Sequence, residues 1–169
     1  MTSTPERARA IAFSEPYLRT GLTLLVGINA PISSAPDLKK PGIRIAVKKG
    51  TTAHQYASRE LTKAHVFVLD KESAAVLEVT QGKVDAFIYD SLSVYRHHQR
   101  HLKTTRAILE PFREETWAIG LRKRNVALLK SINAFLVKFK KTGGFEKLGE
   151  EFLPKEKAYF KTNKISFYF

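Results

Sequence analysis

Thr2-Ser-Thr-Pro-Glu-Arg-Ala-Arg-Ala-Ile-Ala-Phe-Ser-Glu-Pro-Tyr17 is the stretch on which the reading of the whole chain turns. Thr4 followed by Pro5, Glu6 and Arg7 has the pattern of a helix start. Thr4 is placed as N-cap and Pro5 at the first helical position, where a missing N–H costs nothing. The helix must be short, because Pro16 lacks a donor and drives Glu15 out of the α region. Gly21 follows, and Leu22-Thr-Leu-Leu-Val26 reads as a buried strand closed by Gly27.

Downstream, Ile28 to Leu38 is rich in Pro, Ser and Asn and reads as a connection. A regular alternation then begins. Residues 43–47 form a strand, Lys48 to Thr52 a turn opening a helix to about Leu61, and 65–69 a second strand. A helix over about 71–81 ends at Gly82, 84–89 makes a third strand, Ser91 to about His101 a third helix, and 106–110 a fourth strand. Strands alternating with helices across short loops imply an α/β unit, a parallel sheet covered by helices with right-handed crossovers. In such sheets ligands sit at the carboxyl ends of the strands, which here carry Lys48 to Thr52, Leu69-Asp70 and Tyr89-Asp90-Ser91. After a connection over 111–115, residues 116–121 predict another strand. Leu128, Leu129, Ile132, Phe135, Leu136 and Phe139 follow a helical period that Gly143-Gly144 stops. A short helix over about 145–152 ends before Pro154. Lys155 to Phe169 shows no helical period, and Ile165-Ser-Phe-Tyr-Phe169 is strand-prone.

At 169 residues the chain can bury one sound core or two small lobes. No apolar run is long enough to cross a bilayer, and the N-terminus lacks the basic-then-apolar pattern of a signal peptide, so the chain as written is expected to stay cytoplasmic. Zero cysteines exclude disulfides and thiolate metal sites. The formal charge of +13 makes nucleic acid or an anionic membrane a candidate partner. From Arg122 onward twelve Lys or Arg face four Glu, eight of those net charges. On helices with an apolar stripe these lysines read as a solvated face, and no nucleic-acid-binding module accompanies them.

The order of the motifs is itself informative. The Thr-Pro-Glu-Arg turn, Phe13-Ser-Glu-Pro-Tyr17, Gly50 before Thr52, Gly82-Lys-Val-Asp-Ala86 leading to Asp90, and Trp117-Ala-Ile-Gly-Leu-Arg-Lys123 before Gly143-Gly144 stand in one sequence. Over about 2–153 this arrangement resembles the polar amino-acid-binding proteins of ABC importers, the bacterial extracellular solute-binding proteins of family 3. The resemblance implies a periplasmic binding protein-like clamp with lobe two complete and lobe one incomplete. Residues 1–27 would be a remnant of lobe one and the first crossover strand. Lobe two would be 28–115, with a return crossover and C-terminal helices of lobe one at 116–153 and a tail at 154–169. An N-terminal half of lobe one would precede the Thr-Pro-Glu-Arg turn in the family, so the chain reads as N-terminally truncated.

A free amino acid presents a carboxylate and an ammonium on one carbon, and a selective site must satisfy both. The resemblance implies that Arg7 grips the carboxylate in a planar two-pronged contact, helped by Thr2. Thr52 would add helix N-terminal N–H groups, and Asp90 would accept the ammonium. Lys48 and Tyr89 flank the same strand ends. Each position also has a structural alternative: Arg7 as a solvated helix-start residue, Thr52 or Asp90 as an N-cap. His97 and His101 stand four apart on a helix without a third metal ligand nearby, and a polar helix face is the simpler reading, so no metal is expected. Glu114 and Glu115 are adjacent and make a poor acid–base pair, and no nucleophile, phosphate-loop or dinucleotide motif occurs. The expectation is therefore a non-enzymatic, cofactor-free amino-acid-binding component of an ABC transport system, periplasmic in the intact family member. Its partners would be a polar or basic amino acid and a permease, with binding impaired in this form. The alternatives are a remnant or domain-complementing homo-oligomer paired through the 126–139 helix and the terminal residues, or a clamp-fold enzyme such as a dehydratase.

Overall fold

The apolar runs found in the sequence become fully buried strands. Leu24, Leu25, Val26, Ile45, Ala46, Val47, Ala86, Phe87 and Ile88 are all inaccessible to solvent in the computed structural model, which describes residues 1–166. The chain divides into two compact units, Met1–Thr20 with Glu114–Phe169, and Gly21–Arg113. The boundaries fall inside two long strands, β2 (Leu18–Gly27) and β6 (Thr105–Trp117).

The Gly21–Arg113 unit is built on a five-stranded sheet. Its order is β4 (His65–Leu69), β3 (Arg44–Lys48), β5 (Ala86–Asp90), β2, β6. β3 runs parallel to both β4 and β5, as the alternation predicts. β2 departs from the expectation of a parallel sheet: it pairs antiparallel with β5, Leu22 opposite Asp90 and Val26 opposite Ala86. Residues 22–26 are thus an interior strand of this sheet, and the compact unit that contains it spans Gly21–Arg113. An apolar run marks burial on both faces but carries no strand direction, which is why the sequence leaves this open.

Successive side chains on a strand alternate faces. Leu22, Leu24, Val26, Ile45, Val47, Ala86 and Ile88 pack with Ala53, Ala57 and Leu61 from and just beyond α2 (Thr52–Glu60). Helices α3 (Glu72–Thr80) and α4 (Ser91–Arg100) also lie against the sheet, α3 on β3 and β5 and α4 on β5. Burial of each Leu, Ile or Val side chain stabilises the unit by about 1.5–3 kcal/mol. β4 is an edge strand, with Phe67 and Val68 exposed. The other edge strand, β6, runs through Pro111 to Trp117 without the connection expected over 111–115. A proline is tolerated there because an edge strand can leave one donor position unpaired.

In the other unit, α1 (Pro5–Ala8) starts as predicted, with the Arg7 N–H donating to the Thr4 hydroxyl at 3.2 Å. β1 (Ala12–Phe13) pairs antiparallel with β7 (Gly120–Leu121), and Thr2 bridges Trp117. Helix α5 (Val126–Lys141) matches the predicted period. Leu136 is buried, whereas Val126, Leu128, Phe135 and Val137 remain exposed. Gly143, at φ +70°, turns the chain into α6 (Gly144–Phe152).

A seventh helix, α7 (Pro154–Thr162), replaces the non-helical stretch expected from Lys155. Phe160 is its one buried residue, so the sequence holds no apolar stripe to reveal it, and Pro154 starts this helix instead of merely ending the one before. Of the strand-prone terminus, Ile165 and Ser166 belong to no helix or strand, and 167–169 lie outside the described residues.

Candidate functional site

β3 and β5 are parallel neighbours in register, Ile45 with Ala86 and Ala46 with Phe87. Carrying that register forward sets Lys48 level with Tyr89, so both strands deliver their carboxyl ends to one sheet edge. Four of the six sequence-predicted residues, Lys48, Thr52, Tyr89 and Asp90, belong to this edge or the helix it opens.

Local sequence explains each placement. After Lys48, Gly50 adopts φ +75°, a conformation glycine takes without steric cost. Thr51 then caps α2, accepting from the His54 N–H at 3.2 Å and donating its hydroxyl to the Lys48 carbonyl at 2.7 Å. Thr51, not Thr52, is therefore the N-cap, and Thr52 is the first helical residue, buried at 6% exposure. At the end of β5, Asp90 caps α4 by accepting the Ser93 N–H at 3.0 Å. The Tyr89 carbonyl accepts the Thr23 hydroxyl at 3.0 Å, and its ring stacks on Phe87. The capping role anticipated as the alternative for Asp90 is thus present.

The electrostatics of the edge are strongly perturbed. Burial pushes the Asp90 carboxyl above its ordinary range; the hydrogen bonds from Ser93 oppose that shift, and the charge of Glu72 adds to it. The Tyr89 phenol is pushed up to about 12, first by burial and then by the nearby Glu72 and Asp90 charges. Glu72, at the start of α3, was not singled out by sequence reasoning. Its Oε1 lies 2.6 Å from His97 Nε2. The hydrogen bond with His97 holds its carboxyl below the usual range against the opposing effect of burial. The sequence alone offers His97 either as a metal ligand with His101 or as part of a polar helix face. Among the described residues no group of three or more His, Asp or Glu is placed to hold a metal.

The other two predicted residues belong to the smaller unit. The Arg7 guanidinium donates to the Thr2 carbonyl at 2.8 Å, and the Thr2 hydroxyl donates to Glu115 Oε2 at 2.9 Å. Thr2 is held at its terminus by the Met1 amine on the Ala118 carbonyl and the Ser3 N–H on the Thr116 carbonyl.

Two open grooves lie elsewhere, and none of the six residues lines either. One, of about 550 Å³, is bordered by Gly27, Asn29, Arg44, Gln81 and Asp85. The other, of about 560 Å³, lies between Tyr17, Asn133, Leu136 and Phe145.

The sheet thus sets Lys48, Thr52, Tyr89 and Asp90 at the carboxyl ends of two neighbouring parallel strands. The chain is a member of the bacterial extracellular solute-binding proteins, family 3, whose model matches residues 1–155. It is 29% identical over 158 residues to the ABC transporter glutamine-binding protein GlnH of Bacillus subtilis, covering 94% of this chain and 57% of that one. It is 28% identical to the L-cystine-binding protein TcyJ of Escherichia coli K12, covering 89% and 57%. The chain thus spans a little over half the length of these curated relatives. Among solved structures, an ancestral arginine-binding protein bound to glutamine matches with a TM-score of 0.82 and 32% identity, covering 90% of this chain and 68% of that one. The ancestral amino acid-binding protein AncCDT-1, a precursor of cyclohexadienyl dehydratase, matches with a TM-score of 0.78 and 35% identity, covering 89% and 65%.

Proposed function

We propose that this protein is the amino-acid-binding component of an ABC importer, capturing a polar or basic amino acid for a membrane permease in the periplasm. The observation that carries the reading is the shared edge of β3 and β5. There a helix N-terminus at Thr52, favourable to an anion, stands on the strand neighbouring the one that ends in Asp90, a carboxylate suited to an ammonium. In this reading Asp90 accepts the ligand's ammonium, Thr52 holds its carboxylate, and Lys48 and Tyr89 flank the ligand. The names of the relatives, which bind glutamine, cystine and arginine, support the ligand class. No chemistry beyond binding is assigned to these groups.

Calorimetry against the twenty amino acids tests this reading. Heat from at least one polar or basic amino acid, lost in Asp90→Asn, is the expected result. No heat and no ligand-induced spectral change at millimolar concentration overturns the binding function.

A further inference from the structure

The two edges of the five-stranded sheet are unlike. β6 carries Arg106, Glu110, Pro111, Arg113, Glu114 and Glu115, the charges and proline by which natural edge strands are kept from pairing with other chains. β4 reads His65-Val-Phe-Val-Leu69 and has neither a proline nor a Lys, Arg, Asp or Glu. Phe67 is 45% exposed and Val68 44%. β4 is thus an unprotected apolar edge, with β3 on one side and no strand on the other among the described residues.

The backbone of β4 is committed in a definite pattern. The His65 N–H donates to the Ile43 carbonyl at 2.8 Å, and the Leu69 carbonyl accepts the Lys49 N–H at 2.8 Å. Successive residues of a strand direct their N–H and C=O to opposite sides. His65, Phe67 and Leu69 therefore serve the ladder with β3, while the N–H and C=O of Val66 and Val68 point away from β3 at the open edge.

We propose that this edge is an interface between two copies of the chain, β4 pairing antiparallel with β4 of the second copy about a two-fold axis at Phe67. The outward groups select that register. Val66 of each copy lies opposite Val68 of the other, and these hydrogen-bonded pairs use every outward group of Val66 and Val68. The two Phe67 residues form the non-hydrogen-bonded pair, in which side chains approach most closely. Phe67 shares its face with Ala46 and Phe87, its neighbours in register, so the apolar row of one sheet continues into the other. An axis at Val66 would call on the Ala64 N–H, already given to the Leu61 carbonyl at 3.2 Å. An axis at Val68 would set Asp70 opposite Val66.

Pairing removes the β4 edge of both copies and leaves only the blocked β6 edges, so assembly stops at two. Each copy carries a formal charge of +13, so the copies repel and salt strengthens the pair by screening. Attraction of this basic chain to an anionic polymer has the opposite salt dependence.

Sedimentation velocity of the full chain over about 1–500 μM, at about 0.05 and 0.5 M NaCl, reads the association. A monomer–dimer equilibrium is expected, about threefold or more tighter at the higher salt. Val68→Pro removes an outward N–H that the monomer does not use, and Phe67→Lys sets two charges against each other at the axis. Each is expected to weaken the dimer about tenfold or more. The chain contains no cysteine, so Phe67→Cys supplies one thiol where the two strands come closest. Oxidation by diamide should link it into covalent dimers and leave Leu102→Cys, exposed elsewhere on the same unit, largely unlinked. A wild-type monomer at every concentration and salt overturns the proposal. So does a dimer that both substitutions leave intact, one that added salt dissociates, or growth beyond two copies. Circular dichroism reports whether Val68→Pro and Phe67→Lys fold; if neither does, the cross-link decides, and equal linking of Phe67→Cys and Leu102→Cys overturns the pairing.

Discussion

Arg44 and Asp85 are joined at every available level: Arg44 Nη2 lies 2.6 Å from Asp85 Oδ1, Nε 3.3 Å from Oδ2, and the Arg44 backbone N–H donates to Oδ2 at 2.7 Å. The Asp85 N–H in turn donates to the Arg44 carbonyl at 2.7 Å. The residue entering β3 is thereby locked to the one entering β5, fixing the two parallel strands in register from the end opposite the candidate site.

Replacing Asp85 by Ala should therefore destabilise the protein by about 2 kcal/mol, the cost of leaving charge-assisted donors without their acceptor, moderated because the Arg44 head is 42% exposed. Burial pushes the Asp85 carboxyl up, but its hydrogen bonds and charge contact with Arg44 outweigh that and leave it below the ordinary range. A depressed carboxylate stabilises fully above its unfolded value, near pH 4, and that contribution disappears as pH falls through the folded value. Urea denaturation of wild type and Asp85→Ala at pH 7 and pH 3 should show the difference between them shrinking at the lower pH. A constant difference would contradict the assignment.

Gly21 provides a steric test of the β2–β6 pairing. A Cβ at that position would meet the Arg113 carbonyl oxygen and Pro111 Cβ, each at 2.5 Å, so the two strands touch backbone to backbone only because residue 21 has no side chain. Gly21→Ala should cost about 1–3 kcal/mol through forced displacement of β6. A melting temperature unchanged from wild type would show that β6 does not pass so close.

Phe160 tests the helix that the sequence hid. It is fully buried and is the sole buried residue of α7, so Phe160→Ala should destabilise the smaller unit by about 3–5 kcal/mol, with Phe160→Leu milder. Amide exchange across residues 154–162 reports this directly. Equal protection in wild type and Phe160→Ala would mean that α7 is not held by that side chain.

The sequence by itself determined the order of strands and helices in the larger unit, because its alternation of apolar runs, turn glycines and caps is a local signal. Thr4 capping Pro5, the 3.6-residue stripe of α5, and the strands ending at Lys48 and Asp90 were all legible for that reason. Motif order also reached the family, and with it the six residues assigned to ligand binding. Tertiary structure alone decided the direction of β2, since hydrophobicity records that Leu24 and Leu25 are buried but not which way their strand runs. It likewise decided that α7 folds, since one buried phenylalanine makes no period. The meeting of Glu72 with His97 also needed the fold: the two lie twenty-five residues apart on different helices, and only packing on a shared sheet closes that distance to a hydrogen bond.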